Sequence, residues 1–122
     1  MEEWEILVTD ECLAWFRTVD HSSQALITDA IDRLAVAGPT LGRPLVDRVK
    51  GSALHNLKEL RPASVGRTEI RILFVFDPWR SAILLVGGDK SGRWKQWYAA
   101  AIPEAERLYE EYLQERRREE EQ

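Results

Sequence analysis

The stretch from Glu69 to Phe76 limits most tightly what this chain can become. Side chains two apart on an extended strand share a face, so Ile70, Ile72, Phe74 and Phe76 fall on one side, with Arg71, Leu73, Val75 and Asp77 on the other. A wholly apolar face must be buried, and the layer that buries it has to come from elsewhere in the chain. The spacing upstream predicts that layer. Asp10 is a suitable N-cap for a helix with the stripe Leu13, Phe16 and Val19, and Ser22 or Ser23 can cap a second helix carrying Leu26, Ile27, Ala30, Ile31 and Leu34. Gly38-Pro39 ends it, leaving a helical hairpin with one shared apolar side.

The remaining elements follow from the same rules. Glu5 to Thr9 reads as a first strand, and Pro39 to Ala53, rich in Gly, Pro and charge, as a loop with little regular structure. Strands are predicted over Leu54 to Leu60, Glu69 to Phe76 and Ser81 to Val86, joined as an antiparallel meander. Pro103 suits the first turn of a last helix striped by Ala105, Leu108, Tyr109 and Tyr112. The expected order is β-α-α-β-β-β-α, an α+β fold in which an N-terminal helical hairpin packs on a mainly antiparallel sheet. Residues 1–115 form one domain in this reading, and 116–122 a fraying charged tail.

Composition narrows the class. The 122 residues suffice for one core, and 44% hydrophobic with 31% charged residues is a globular balance. The longest apolar runs are strand-sized, far short of the roughly 20 residues of a membrane helix. An acidic opening at Glu2, Glu3 and Glu5 is unlike a signal peptide, so a cytoplasmic location and no membrane partner are expected. The lone Cys12 lies on a helical apolar stripe and reads as a buried structural residue.

The net charge of −4 conceals a segregation. Residues 1–40 carry −6 and residues 99–122 carry −4, whereas residues 41–98, with eleven basic and five acidic side chains, carry +6. A polyanion binds where its phosphates touch, so a local +6 serves even in an acidic protein. Alternation places Leu57, Glu59 and Arg61 on one face of their strand and Lys58 and Leu60 on the other, so Arg61 and Arg71 can converge, while Arg67 sits in the loop between them. After Gly87-Gly88 the segment Asp89 to Tyr98 mixes Lys90, Arg93 and Lys95 with Trp94, Trp97 and Tyr98. Guanidinium groups hold phosphates and rings stack on unpaired bases, which favours RNA. The bland alternatives are solvated edge charges for the arginines and core packing for the tryptophans. His55 is a candidate general base that lacks neighbouring carboxylates or histidines in the sequence. No phosphate-loop motif, nucleophile elbow or metal-spaced Cys/His set occurs, so neither metal nor cofactor is expected.

Asn56 to Arg61, Glu69 to Phe76 and the apolar strand ending in a Lys-containing loop, in this element order, resemble the RelE/HigB-like toxins of bacterial type II toxin–antitoxin pairs. The match covers most of the chain. The resemblance implies a ribosome-dependent mRNA endonuclease that inhibits translation, held inactive in a hetero-oligomeric complex by an antitoxin, often with a helix-turn-helix domain. It matches Arg61 and Arg71 to the family's strand arginines and Lys90 to a lysine after the last core strand, as catalytic residues. Lys58, Arg67, Arg93, Trp94 and Lys95 are then the candidate RNA contacts, with His55 second to Lys90 as proton carrier. A second family lysine is replaced here by Ser91, followed by Gly92, Arg93 and Trp94. ParE-type toxins share the fold and act on DNA gyrase, and a binding module without activity is the third class; fold alone separates none of these.

Overall fold

The computed structural model describes residues 2–121. Its elements are β1 (Glu5–Val8), α1 (Asp10–Phe16), α2 (His21–Ala37), β2 (Val46–Arg48), β3 (Lys58–Leu60), β4 (Ile70–Phe76), β5 (Ser81–Asp89) and α3 (Trp94–Glu120), with a short 3-10 turn at Gly38–Thr40. The five strands lie in the order β1-β5-β4-β3-β2, antiparallel throughout except that β1 runs parallel to β5. The expected α+β architecture is therefore present, with one strand more than the sequence announced.

The alternation in β4 divides the core in two. Ile70, Ile72 and Phe74 join Ile27, Ala30 and Leu34 of α2 and Cys12 of α1 in one buried layer. Leu73 and Val75 join Ile83, Leu85 and the α3 residues Trp97, Ala101, Ala105 and Leu108 in the other. The hairpin α1–α2 covers one face of the sheet and α3 the opposite one, giving three layers.

Several local readings change. Thr9, not Asp10, caps α1, its Oγ1 accepting from the Cys12 amide at 3.0 Å. Asp20, not Ser22 or Ser23, caps α2, accepting from the Ser23 amide at 3.1 Å. Leu13 is partly exposed, whereas Cys12 is buried. Burial pushes the Cys12 thiol up to about 12, so it stays protonated and inert. The segment 39–53 is not all loop: Val46–Arg48 pairs with β3 as an edge strand, too short for alternation to reveal. The strand predicted from Leu54 shrinks to Lys58–Leu60, because the Leu57 amide turns back to the Leu54 carbonyl.

The largest difference is α3. It starts at Trp94, nine residues before Pro103, and runs to Glu120, so Pro103 lies inside it and the tail predicted to fray is helical. Proline has no amide to donate to the preceding turn, which favours a helix start there. What overrides that preference is burial: Trp97, Ala101, Ala105 and Leu108 form a continuous stripe on the sheet, while Pro103 faces solvent. Gly87 and Gly88 make this packing possible. A Cβ at Gly88 would lie 2.2 Å from Trp97 Nε1, and one at Gly87 would lie 2.3 Å from the Trp15 ring on the other face.

Candidate functional site

The register of β3 on β4 pairs Leu60 with Ile72, which carries Arg61, the next residue, alongside Arg71. Both side chains rise on the α3 face, together with Glu59. The Arg61 amide donates to the Leu45 carbonyl at 2.7 Å, extending the β2–β3 pairing and fixing where Arg61 begins. The two arginines do converge, and what lies between them is a carboxylate. Glu59, with its side chain 4% exposed, sits 3.4 Å from Arg71 Nε and 3.6 Å from Arg61 Nη2. Arg61 Nη2 also meets Asp47 of β2 at 3.2 Å, and Arg71 Nη1 donates to the Ile70 carbonyl at 2.8 Å. The Tyr98 hydroxyl, from the first turns of α3, donates to Glu59 at 2.6 Å to Oε1 and 3.0 Å to Oε2.

Lys90 closes the cluster from the end of β5. Its Nζ stands 5.4 Å from the centre of the Tyr98 ring and 3.7 Å from Glu69. Asp89 shapes this corner by accepting from the amides of Glu69 and Ser91 at 3.0 and 2.9 Å. Burial works against its charge, yet those amides hold its carboxyl below the usual range. Burial, then the bond to Glu59, keep the Tyr98 phenol well above its ordinary value, so it remains a donor. Asp47 is held low by the Arg48 amide and by Arg43.

Three cations, Arg61, Arg71 and Lys90, thus face three carboxylates, Asp47, Glu59 and Glu69. The cluster is nearly neutral, and Arg61, its side chain about a third exposed at 32%, is the cation with most room for another acceptor. The Nε atoms of both arginines are buried without an aligned acceptor; the 3.4 Å approach of Arg71 Nε to Glu59 is an ion pair lacking hydrogen-bond geometry. Beside the cluster a groove of about 240 Å³ is lined by Arg48, Val49, Lys50, Glu59, Trp94, Tyr98 and Ile102. Trp94 is 57% exposed there, with Lys95 Nζ 5.5 Å from its ring centre.

The remaining candidates scatter. Arg93 is exposed just before α3, and Arg67 is exposed in the β3–β4 loop. Lys58 belongs by alternation to the opposite sheet face, with Leu60, and does not meet the arginines. His55 lies exposed in the turn before β3 and joins neither the Glu59 network nor the groove lining. Trp97 is buried against Gly88. Sequence reasoning named Glu59 only by its strand face and Tyr98 only as a ring for base stacking, and it passed over Asp47, Arg48 and Lys50. Glu59 alone carried a signal, since it shares the Arg61 face beside buried Leu57. Among the described residues no group of three or more His, Cys, Asp or Glu side chains is placed to hold a metal ion, and no helix is long and apolar enough to cross a membrane.

A hairpin on one face of this five-stranded sheet and a long helix on the other form the RelE-like fold. Escherichia coli toxin RelE, as an arginine-to-alanine double mutant in the free state, superimposes with a TM-score of 0.61 at 9% identity, over 83% of this chain and 96% of that one. The RelBE2 toxin–antitoxin complex of Mycobacterium tuberculosis gives 0.55 at 11% identity, over 71% of this chain and 98% of the matched one. The chain belongs to the phage-derived Gp49-like protein family (DUF891), whose profile matches residues 14–110. It is 51% identical over 108 residues to a Mycobacterium tuberculosis protein named as toxin HigB3, covering 88% of this chain and 92% of that relative. A second protein of that organism, named as toxin HigB2, is 51% identical over 100 residues, 82% of this chain and half of its own length. The RelE/HigB-like resemblance read from the strands is borne out.

Proposed function

We propose that this chain is the toxin of a type II toxin–antitoxin pair and acts in the cytoplasm as a ribosome-dependent mRNA endonuclease that inhibits translation. The observation that carries the reading is the convergence of Arg61 and Arg71 on one sheet face, with Lys90 just past the end of the neighbouring strand β5. The chemistry is transfer within the RNA: a 2′-hydroxyl attacks the adjacent phosphorus, the P–O bond to the 5′ oxygen breaks, and the proton lost by the 2′-oxygen is balanced by one given to the leaving oxygen. Arg61 and Arg71 stabilise the charge that grows on the phosphate, a contribution of roughly 3–4 kcal/mol for one well-placed donor. Lys90 serves as proton carrier. Glu59 positions both guanidinium groups. The groove beside Trp94, lined by Arg48 and Lys50, with Lys95 over the Trp94 ring, receives the neighbouring nucleotides. The partner that silences the chain is an antitoxin, with a helix-turn-helix domain.

Induced expression of the wild type and of Arg61→Ala/Arg71→Ala in a bacterial host, with cellular mRNA 5′ ends mapped, tests this. Growth arrest with new ends inside translated messages, absent for a folded double variant, is the expected result. Arrest without new ends would point instead to a gyrase-directed toxin of the ParE type, and no arrest to a binding module.

A further inference from the structure

β1 is the outermost strand on its side of the sheet, and among the described residues nothing pairs with its free edge. The amides of Glu5 and Thr9 bond inward to the carbonyls of Arg80 and Leu84, so in the alternating pattern of a parallel ladder Ile6 and Val8 turn their N–H and C=O groups outward. An open edge of this kind is a template for one more strand unless it is blunted. β1 is short, and the Trp4 amide just before it already donates to the Ala35 carbonyl at 2.8 Å, so the open groups are those of Ile6 and Val8. The strand carries no proline, and Val8 is 42% exposed.

The surfaces on either side of the edge differ in chemistry. Towards the helical hairpin an apolar groove of about 140 Å³ opens between Val8, Cys12, Leu13, Phe16, Ile31 and Leu84, and no polar surface lines it. Towards α3 two adjoining grooves, about 300 and 170 Å³, share Leu7, Tyr112 and Glu115. Their rim is acidic: Asp10 and Glu11 on α1, then Glu111, Glu115 and Glu119 on α3. The last three are spaced by four residues, a column on one helix face about 12 Å long at 1.5 Å per residue. The cations nearby are Arg107, which reaches Glu11 and Glu111, and Arg116, which stacks on Trp79 at 4.4 Å. Glu115 and Glu119 enter no ion pair among the described residues.

The geometry points to β1 as the docking edge for an extended segment of a partner protein in which basic side chains alternate with apolar ones. Pairing to Ile6 and Val8 would supply main-chain hydrogen bonds. Because side chains of an added strand alternate between faces, one set would enter the apolar groove and the other would meet the acidic column, which has room for two or three basic side chains at a rise of about 3.3 Å per residue. That the partner is the antitoxin rests on the function proposed above; the chemistry of the edge does not.

The test uses the whole chain and two short end-capped peptides, one alternating lysine with valine and one alternating glutamate with valine. Amide hydrogen exchange on the lysine–valine complex is expected to show new protection at Ile6 and Val8. The glutamate–valine peptide should give none. Glu115→Lys/Glu119→Lys, which alters exposed side chains only, should weaken the lysine–valine peptide about tenfold or more. Equal affinity for both peptides, or binding without protection at Ile6 and Val8, overturns the assignment. The purified antitoxin complex separates the two readings. Antitoxin bound while those amides exchange freely overturns the antitoxin as the partner of this edge and leaves the toxin standing, whereas peptide protection with no antitoxin to be found supports the edge and counts against the toxin.

Discussion

Glu59 determines how the arginines of the site behave. Buried, hydrogen-bonded by Tyr98 and ion-paired with Arg61 and Arg71, it offsets the repulsion between the two guanidinium groups. Glu59→Gln keeps the shape and removes the charge. Leaving buried cations without their counter-charge costs about 3 kcal/mol where burial is complete, and less here because Arg61 is partly in water. Denaturant unfolding of Glu59→Gln should therefore show a loss of about 1–3 kcal/mol. If the site cleaves RNA as proposed, RNA affinity should rise while the cleavage rate falls, since the arginines are freed but no longer positioned. Tyrosine gives a second prediction at this scale. Tyr98 and Tyr112 are both held above their ordinary value, first by burial and then by hydrogen bonds to Glu59 and to Asp77. A phenol whose folded-state value is raised contributes stability that is complete below its unfolded value, about 10, and is lost as pH rises beyond it. Stability should decline above about pH 10, and Tyr98→Phe/Tyr112→Phe should flatten that decline; unfolding followed across alkaline pH reads it directly.

Helix α3 carries the clearest lesson at the scale of elements. Its interior proline costs a lost hydrogen bond and a steric clash, about 3 kcal/mol in an ordinary helix, offset in part because proline also stiffens the unfolded chain. Pro103→Ala should raise the unfolding free energy by about 1 kcal/mol or more, with the far-ultraviolet helical signal unchanged or increased. The sequence read Pro103 as a beginning because local chemistry says so. The decisive information was tertiary: Trp97 needs the hollow above Gly88, and nothing in a linear string links those two residues. The hairpin helices and β4 were legible because their periods run over several turns or residues. The three-residue β2 was not, since one Val46 beside two charged residues has no period at all.

The whole molecule is a sheet with two cores, and its charges are arranged on the same plan. Acidic segments form β1, the helical hairpin and much of α3, while the basic stretch 41–98 builds the other four strands and the start of α3. That gathering of Arg61 and Arg71 could be read from strand alternation, and the cost of their company could not, because Asp47, Glu59 and Tyr98 reach them from three separate elements. A nucleic-acid ligand that displaces paired carboxylates releases fewer counterions than one meeting bare cations. The logarithm of RNA affinity should accordingly fall with the logarithm of salt by less than about 0.7 per cation engaged, the value for free cations on a single strand. Titrations at several ionic strengths measure this slope.

The hydroxyl of Tyr98 on Glu59 also bears on a problem of traffic. A cell is crowded with RNA, and nearly every phosphate a diffusing protein meets is the wrong one. A chain with bare arginines would adhere to transfer RNA, to ribosomal surfaces and to idle messages, and its effective concentration at the right junction would fall accordingly. Here the arginines already have company, so a casual collision has little to offer them. On the function proposed, only a phosphate delivered at the right depth and angle would outbid the buried carboxylate, giving brief visits everywhere and a long stay in one place.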